Sequence, residues 1–249
     1  MVLPRPLVEG RLIRRYQRFL ADVLLEDGRV VTAHCPNSGS MRGCSAPGSV
    51  VLLSLAHNPK RRCRYTWELV RVGRIWVGIN TWFANRLAAE GVLQGLVPEL
   101  AGYSLFRQEV PFGDNTRLDL LLARGDELCF VEVKNVTLVE EGVAYFPDAV
   151  TNRGAKHLEE LMRAHDQGHR AVVFFVVQRQ DAHLFRPAAH IDPWYAATLR
   201  RAVAHGVECL AYRARVSKRE IRLDRRVPCE VGHARMRVPV QTEPGSAAT

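Results

Sequence analysis

The chain has 249 residues, 47% of them hydrophobic, enough to bury a full core and to build one large or two small domains. Its formal charge of +9 is unevenly spread: residues 1–80 hold 13 Lys and Arg against 5 Asp and Glu. That is the electrostatic footprint of a module that meets nucleic-acid backbone, with a solubility device or a lipid-attracting surface as the blander readings. The longest strongly apolar run is Ala171–Val177, the start lacks a secretory signal, and the six cysteines share no recurring spacing. A membrane protein and a disulfide scaffold are thereby excluded, and a cytoplasmic protein with reduced thiols is expected.

From Gly10 to Asn80 only strands and turns are predicted: Arg11–Tyr16, Phe19–Leu25, Arg29–Ala33, Val50–Leu55, Tyr65–Val72 and Ile75–Ile79. Short strands at this spacing with no helical period suggest a small barrel, with the OB-fold as the natural candidate. Its basic residues are interleaved with aromatics, in Arg14-Arg15-Tyr-Gln-Arg18-Phe19 and in Lys60-Arg61-Arg62-Cys-Arg-Tyr-Thr-Trp67. Cations that neutralise phosphates beside rings that stack on bases grip nucleic acid; equally, Tyr16, Phe19 and Trp67 are each candidates for barrel core. Lys60, Arg61 and Arg62, in a Pro-containing loop, are the expected direct phosphate contacts. Cys35-Pro-Asn-Ser-Gly-Ser-Met41 is a turn-rich loop that either offers N–H groups and hydroxyls to a phosphate or only reverses the chain.

Asn80-Thr81 before Trp82–Glu90 marks a change from strand to helix, with either residue as cap, so domains are expected at 1–80 and 81–230, followed by a disordered tail, 231–249. Tyr103–Pro111 reads as a strand. The next two, Arg117–Leu122 and Leu128–Asn135, form a hairpin about Gly125-Asp126. A two-residue loop there sets Asp119 opposite Glu132 and Arg117 opposite Lys134, all four charges on one face, with Leu118, Leu120, Leu122, Cys129, Val131 and Val133 on the other. Opposed carboxylates about 4.5–5.5 Å apart at Cβ repel unless a cation lies between them. Mg²⁺ or Mn²⁺ would serve, held by Asp119 and Glu132, with Lys134 steadying an attacking water or the charge on a phosphoryl oxygen. The plain alternative is a solvated face with cross-strand ion pairs.

A helix is predicted over Arg153–Ala164, capped by Asp148 or Thr151. Its first turns carry Arg153, Lys156 and His157 where free N–H groups already favour phosphate. His157 is either a proton carrier or a hydrogen-bonded structural residue. The apolar run Ala171–Val177 is of the kind covered on both faces, pairing parallel with the hairpin through the helical crossover. Gln178 then polarises a water or closes the sheet edge. Asp192-Pro-Trp-Tyr introduces a helix to about His205, and Val207–Tyr212 and Ile221–Val227 read as further strands.

Asp119 with Glu132-Val-Lys134 resembles the Asp…(Asp/Glu)-X-Lys signature of restriction-endonuclease-like nucleases, with Leu118 where the PD-(D/E)XK motif has Pro. His34-Cys-Pro-Asn-Ser-Gly-Ser-Met41, Glu132-Val-Lys-Asn135 and Phe146-Pro-Asp-Ala-Val-Thr-Asn-Arg-Gly-Ala-Lys-His-Leu158 resemble the signatures of the bacterial sugar fermentation stimulation protein A family, over about Gly10–Leu223. The resemblance implies an N-terminal OB-fold barrel and a C-terminal restriction-endonuclease-like α/β domain with a central mixed sheet. It also implies DNA binding without marked sequence preference, a link to sugar and particularly maltose utilisation, and Glu90 as a further carboxylate of the metal shell.

The expected function is therefore Mg²⁺-dependent phosphodiester hydrolysis by Asp119, Glu132 and Lys134, with Glu90 assisting. Arg14, Arg15, Arg18, Lys60, Arg61, Arg62, Arg153 and Lys156 would bind the nucleic acid. The alternatives are a non-catalytic DNA-binding regulator of sugar metabolism with an inactive site, and a binder of RNA or another polyanion.

Overall fold

The computed structural model describes residues 1–56, 58, 60–113 and 116–232, and Phe106 by its backbone alone. From residue 233 the expected tail lies outside the described residues, as do Pro59 of the expected phosphate loop and Asp114 and Asn115 of the loop after Pro111.

Strands β1 (Leu7–Tyr16), β2 (Leu20–Leu25), β3 (Val30–His34), β4 (Val50–Leu55) and β5 (Tyr65–Val72) follow the order β3-β2-β1-β4-β5. A parallel pair, Ala33 with Tyr65 and His34 with Thr66, closes them on themselves. Closure leaves no long unpaired edge, which makes so small a sheet self-sufficient. Alternate residues such as Ala21, Val23 and Leu25 point inward to a core of Leu12, Val51, Leu53 and Val70 around Trp67. Trp67 is wholly buried and its Nε1 donates to Leu69 O at 2.9 Å, so it is core, whereas Phe19 stays exposed against His34. A sixth strand, β6 (Ile75–Gly78), folds back on β5.

Helix α1 (Trp82–Leu93) leads into the α/β domain, with β7 (Ser104–Phe112), β8 (Thr116–Arg124), β9 (Glu127–Val136), β10 (Leu138–Glu140) and β11 (Val143–Phe146). Then come α2 (Asn152–Asp166), β12 (Arg170–Val177), β13 (Leu184–Pro187), α3 (Pro193–His205), β14 (Glu208–Val216) and β15 (Ile221–Arg226). The main sheet runs β15-β14-β12-β9-β8-β7, and β12 is parallel to both β9 and β14. Its alternation serves both faces. Val172, Phe174 and Val176 enter the cluster under α1, while Val173, Phe175 and Val177 enter the one under α2 and α3. Thr151 caps α2, its hydroxyl accepting from Gly154 N at 3.1 Å, and Asp192 caps α3 through Tyr195 N at 2.9 Å. Strands β10, β11 and β13 form a small second sheet, and with only three or four residues each they are too short for alternation to mark them in the sequence. No helix among the described residues is long and apolar enough to cross a membrane.

The two domains share apolar contacts, for Leu52 and Leu69 of the barrel belong to the same cluster as Leu87 and Phe174. Gln178 joins them by hydrogen bonds. Its Nε2 donates to Asn80 O at 2.8 Å and Asn135 Oδ1 at 2.6 Å, and its carbonyl accepts from Gly78 N at 2.9 Å. It is fully buried, and its backbone joins the end of β12 to β9 through Val136 O as well as to the barrel. A Cβ on Gly78 would come within 2.3 Å of Gln178 Oε1, and the amide cannot retreat without losing those bonds. Gly78→Ala is expected to destabilise the protein by about 1–3 kcal/mol in urea denaturation, as overpacked core substitutions do.

Candidate active site

The hairpin has the expected register from Arg124 opposite Glu127 to Leu120 opposite Val131, and there the β8–β9 ladder ends. The next strand N–H, that of Val133, is taken instead by the Asp119 carboxylate at 2.7 Å, a charge-assisted bond stronger than a carbonyl would make. On the other side of β8, Glu109 of β7 faces Asp119 with a left-handed φ of +52°, between the regular pairs Gln108 with Leu120 and Val110 with Leu118. The one-face expectation is corrected accordingly. Leu118 packs on the α2 side while Leu120 and Leu122 pack on the α1 side. Asp119 accepts from Asn85 Nδ2 of α1 at 2.8 Å, whereas Glu132 reaches His157 of α2. Arg117 pairs with Pro111, and β9 beyond Val131 pairs with β12, Lys134 with Phe175.

The two carboxylates, with Lys134, nevertheless line one open cleft of about 930 Å³. Glu132 is 2% exposed. One of its oxygens, Oε1, meets both Lys134 Nζ and His157 Nδ1, while Oε2 has no partner among the described residues. Arg153 Nε donates to His157 Nε2 at 3.2 Å, which leaves the imidazole proton on Nδ1, facing Glu132. Burial would raise the Glu132 carboxyl, but Lys134 and His157 more than offset it and hold it below its ordinary value. Asp119 goes the other way. Burial and the neighbouring Glu132 charge push it up to about 7, against the bonds from Val133 and Asn85 and the Lys134 charge. An orphaned buried carboxylate oxygen beside a carboxyl with too little positive charge fits a divalent cation. The protein supplies two carboxylates for it, and no group of three or more His, Cys, Asp or Glu gathers among the described residues.

One face of α1, with Trp82, Asn85, Arg86, Ala89 and Glu90, forms a wall of the cleft. Glu90 is there as expected, but its carboxylate holds Arg86 Nε at 2.8 Å and the Met1 amine at 2.9 Å. Asn85 is the α1 residue that reaches Asp119, and nothing in a neutral amide on a helix marked it beforehand. Asn37, Ser38 and Gly39 of the turn-rich barrel loop line the same cleft. This loop crosses to the other domain: Asp148 accepts Met41 N at 2.8 Å, and a Cβ on Gly39 would lie 2.4 Å from Asp148 Oδ1, an approach only glycine permits.

The expected nucleic-acid cations divide. Arg15 is committed to the loop, donating to Asn37 O and Gly39 O, both at 2.8 Å. Arg14 pairs with Asp22 at 2.8 Å, and Arg61 donates to Thr66 Oγ1 at 3.3 Å. Arg18, Lys60 and Arg62 are exposed on the barrel. Arg153 and Lys156, with Arg117, line a second cleft of about 750 Å³ that shares Glu109, Arg153 and His157 with the first, so the two make one continuous trough.

A closed barrel joined to an α/β domain whose mixed sheet parts over Asp119 and Glu132-Val-Lys134 defines a two-domain barrel-plus-α/β protein. Residues 13–79 match the SfsA N-terminal OB domain, and residues 82–220 match the sugar fermentation stimulation protein RE domain. The chain belongs to the sugar fermentation stimulation protein family. A sugar fermentation stimulation protein homolog from Geobacter sulfurreducens is 62% identical over 93% of this chain and 100% of its own length. Another, from Citrifermentans bemidjiense, is 58% identical over 92% of this chain and 99% of its own. Pyrococcus furiosus SfsA, solved in complex with Ca²⁺, superposes with a TM-score of 0.85 at 26% identity, covering 92% of this chain and 98% of that one.

The raised Asp119 carboxyl has a consequence for stability. Between its ordinary 3.8 and about 7 the folded protein holds a proton that the unfolded chain releases, so this group makes stability fall as pH rises through that window. Above it the penalty is complete. Asp119→Asn is therefore expected to raise the Tm of metal-free protein at pH 8 by a few degrees, about 1–2 kcal/mol, and to change it little at pH 4, as read by differential scanning calorimetry.

Proposed function

We propose that this protein is a metal-dependent phosphodiesterase that cuts DNA with little regard to sequence. The observation that carries the reading is the unpartnered Oε2 of Glu132 in a cleft it shares with Asp119 and Lys134. Asp119 and Glu132 would hold Mg²⁺ or Mn²⁺. When bound, such an ion supplies a nucleophilic water at neutral pH and draws charge from a phosphoryl oxygen. The Ca²⁺ bound by the Pyrococcus furiosus relative supports a divalent ion in this family.

The chain's own groups divide the remaining work. Asn85 and the Val133 N–H orient Asp119, and His157, itself set by Arg153, orients Glu132. Lys134 carries an ammonium group into the cleft, where it can position the attacking water or meet charge growing on the phosphoryl oxygens. Arg117, Arg153 and Lys156 line the continuation of the trough, where the flanking phosphates would lie. The exposed cations of the barrel extend this field and make affinity salt-dependent.

One observation favours a second reading, a DNA-binding regulator of sugar metabolism with an inactive site: Lys134 and His157 already occupy Glu132 Oε1, leaving few ligands for a metal. Incubation of the full chain with plasmid and single-stranded DNA in Mg²⁺ or Mn²⁺ separates the two. Cleavage is expected, with Asp119→Ala and Lys134→Ala each lowering it about a hundredfold or more while DNA retention in a mobility-shift assay persists. If the unsubstituted protein binds DNA but cuts none with either metal, the regulator reading replaces the nuclease.

A further inference from the structure

Trp82 is the most exposed of the large apolar side chains among the described residues, at 78%. It is not on an idle surface. It opens α1 one turn before Asn85, the residue that donates to Asp119, and residues three apart on a helix face lie about 5–6 Å apart at Cβ. Trp82 thus lines the same cleft as Asp119 and Glu132. Its backbone is anchored: Asn80 Oδ1 accepts Trp82 N at 3.1 Å, and Thr81 donates from its N–H and its hydroxyl to Pro36 O of the barrel at 3.2 and 3.0 Å.

Trp82 also borders a separate hollow of about 360 Å³ on the barrel, lined by His34, Arg61, Thr66, Glu68 and Asn80. This hollow has a hydrogen-bonding floor. Glu68, 3% exposed, accepts from Ser54 Oγ at 2.6 Å and from Asn80 Nδ2 at 2.8 Å, and a carboxylate bonded once at each oxygen keeps lone pairs for further donors. Arg61 is exposed at the rim.

An aromatic wall, an acceptor-bearing floor and a guanidinium rim complement the three parts of one nucleotide: the π-face of its base, the polar edge of that base, and its phosphate. Only an unpaired base can present them together, because in a duplex both faces and the pairing edge are occupied. We infer that the hollow takes an unpaired nucleobase, stacked on Trp82, from the strand whose phosphate lies at Asp119 and Glu132. The inference rests on the nuclease reading and narrows it. The substrate is nucleic acid with an unpaired nucleotide next to the cut, as in single strands, gaps, flaps and frayed ends, rather than uninterrupted duplex.

The test uses the full chain carrying Asp119→Asn, without divalent metal, and fluorescence anisotropy of a labelled single-stranded DNA and of the same sequence as a blunt duplex. Adding Trp82→Ala is expected to weaken single-strand binding about tenfold or more and to leave duplex binding unchanged. Trp82→Phe should keep most of the affinity but lose the quenching of indole fluorescence that the single strand causes. Unchanged single-strand affinity in Trp82→Ala, equal weakening for both ligands, or a parent that prefers the duplex overturns the inference and leaves the nuclease reading standing. A parent that binds neither ligand overturns both.

Discussion

A carboxylate in the middle of a sheet is tolerable only while positive charge or donors stay beside it, and Glu132 has both crowded onto one oxygen and, among the described residues, nothing on the other. Much of the α/β domain follows from this. The α2 helix must lie where His157 can reach β9, and its first turn must bring Arg153 behind the imidazole. The Thr151 cap fixes where that helix begins and so sets both residues. β12 supports the arrangement from the side, giving β9 a parallel partner buried on both faces while its other neighbour, β8, drops away. The break in the ladder is thus no defect in the sheet. It is where backbone pairing gives way to side chains that are free to meet a ligand.

Much of this was legible from residue order, and the reasons differ by element. The closed barrel showed itself because its strands are short, alternating and separated by turn residues. β12 did so because seven apolar residues in a row have few other places to go. Asp119, Glu132 and Lys134 were legible because acidic groups on a hairpin flanked by core strands have a high cost that invites a purpose. What failed was the assumption of strict alternation along β8. The left-handed Glu109 and the carboxylate's capture of the Val133 N–H are tertiary choices that no two-residue period encodes. Asn85 was invisible for the same reason. Its amide matters only through the position that α1 takes over the sheet.

Charge counting had a similar limit. The excess of cations in the N-terminal third suggested a module that meets nucleic-acid backbone, with Arg14 and Arg15 among its contacts, yet Arg15 directs its guanidinium to carbonyls of its own barrel loop and Arg14 to Asp22. These residues shape the surface rather than present it. In Arg15 the positive charge does structural work, neutralising a concentration of carbonyl dipoles so that Asn37, Ser38 and Gly39 can be held against the neighbouring domain.

The meeting of Gly39 with Asp148 has a mechanical meaning. The barrel loop and the chain leading to α2 both border the cleft, and they are stitched together where the Met41 N–H donates to the Asp148 carboxylate and the Ser40 hydroxyl donates to the Asp148 carbonyl. Whatever enters the cleft therefore meets residues of both domains at once, Asn37 and Gly39 from the barrel and Asp119 and Glu132 from the sheet.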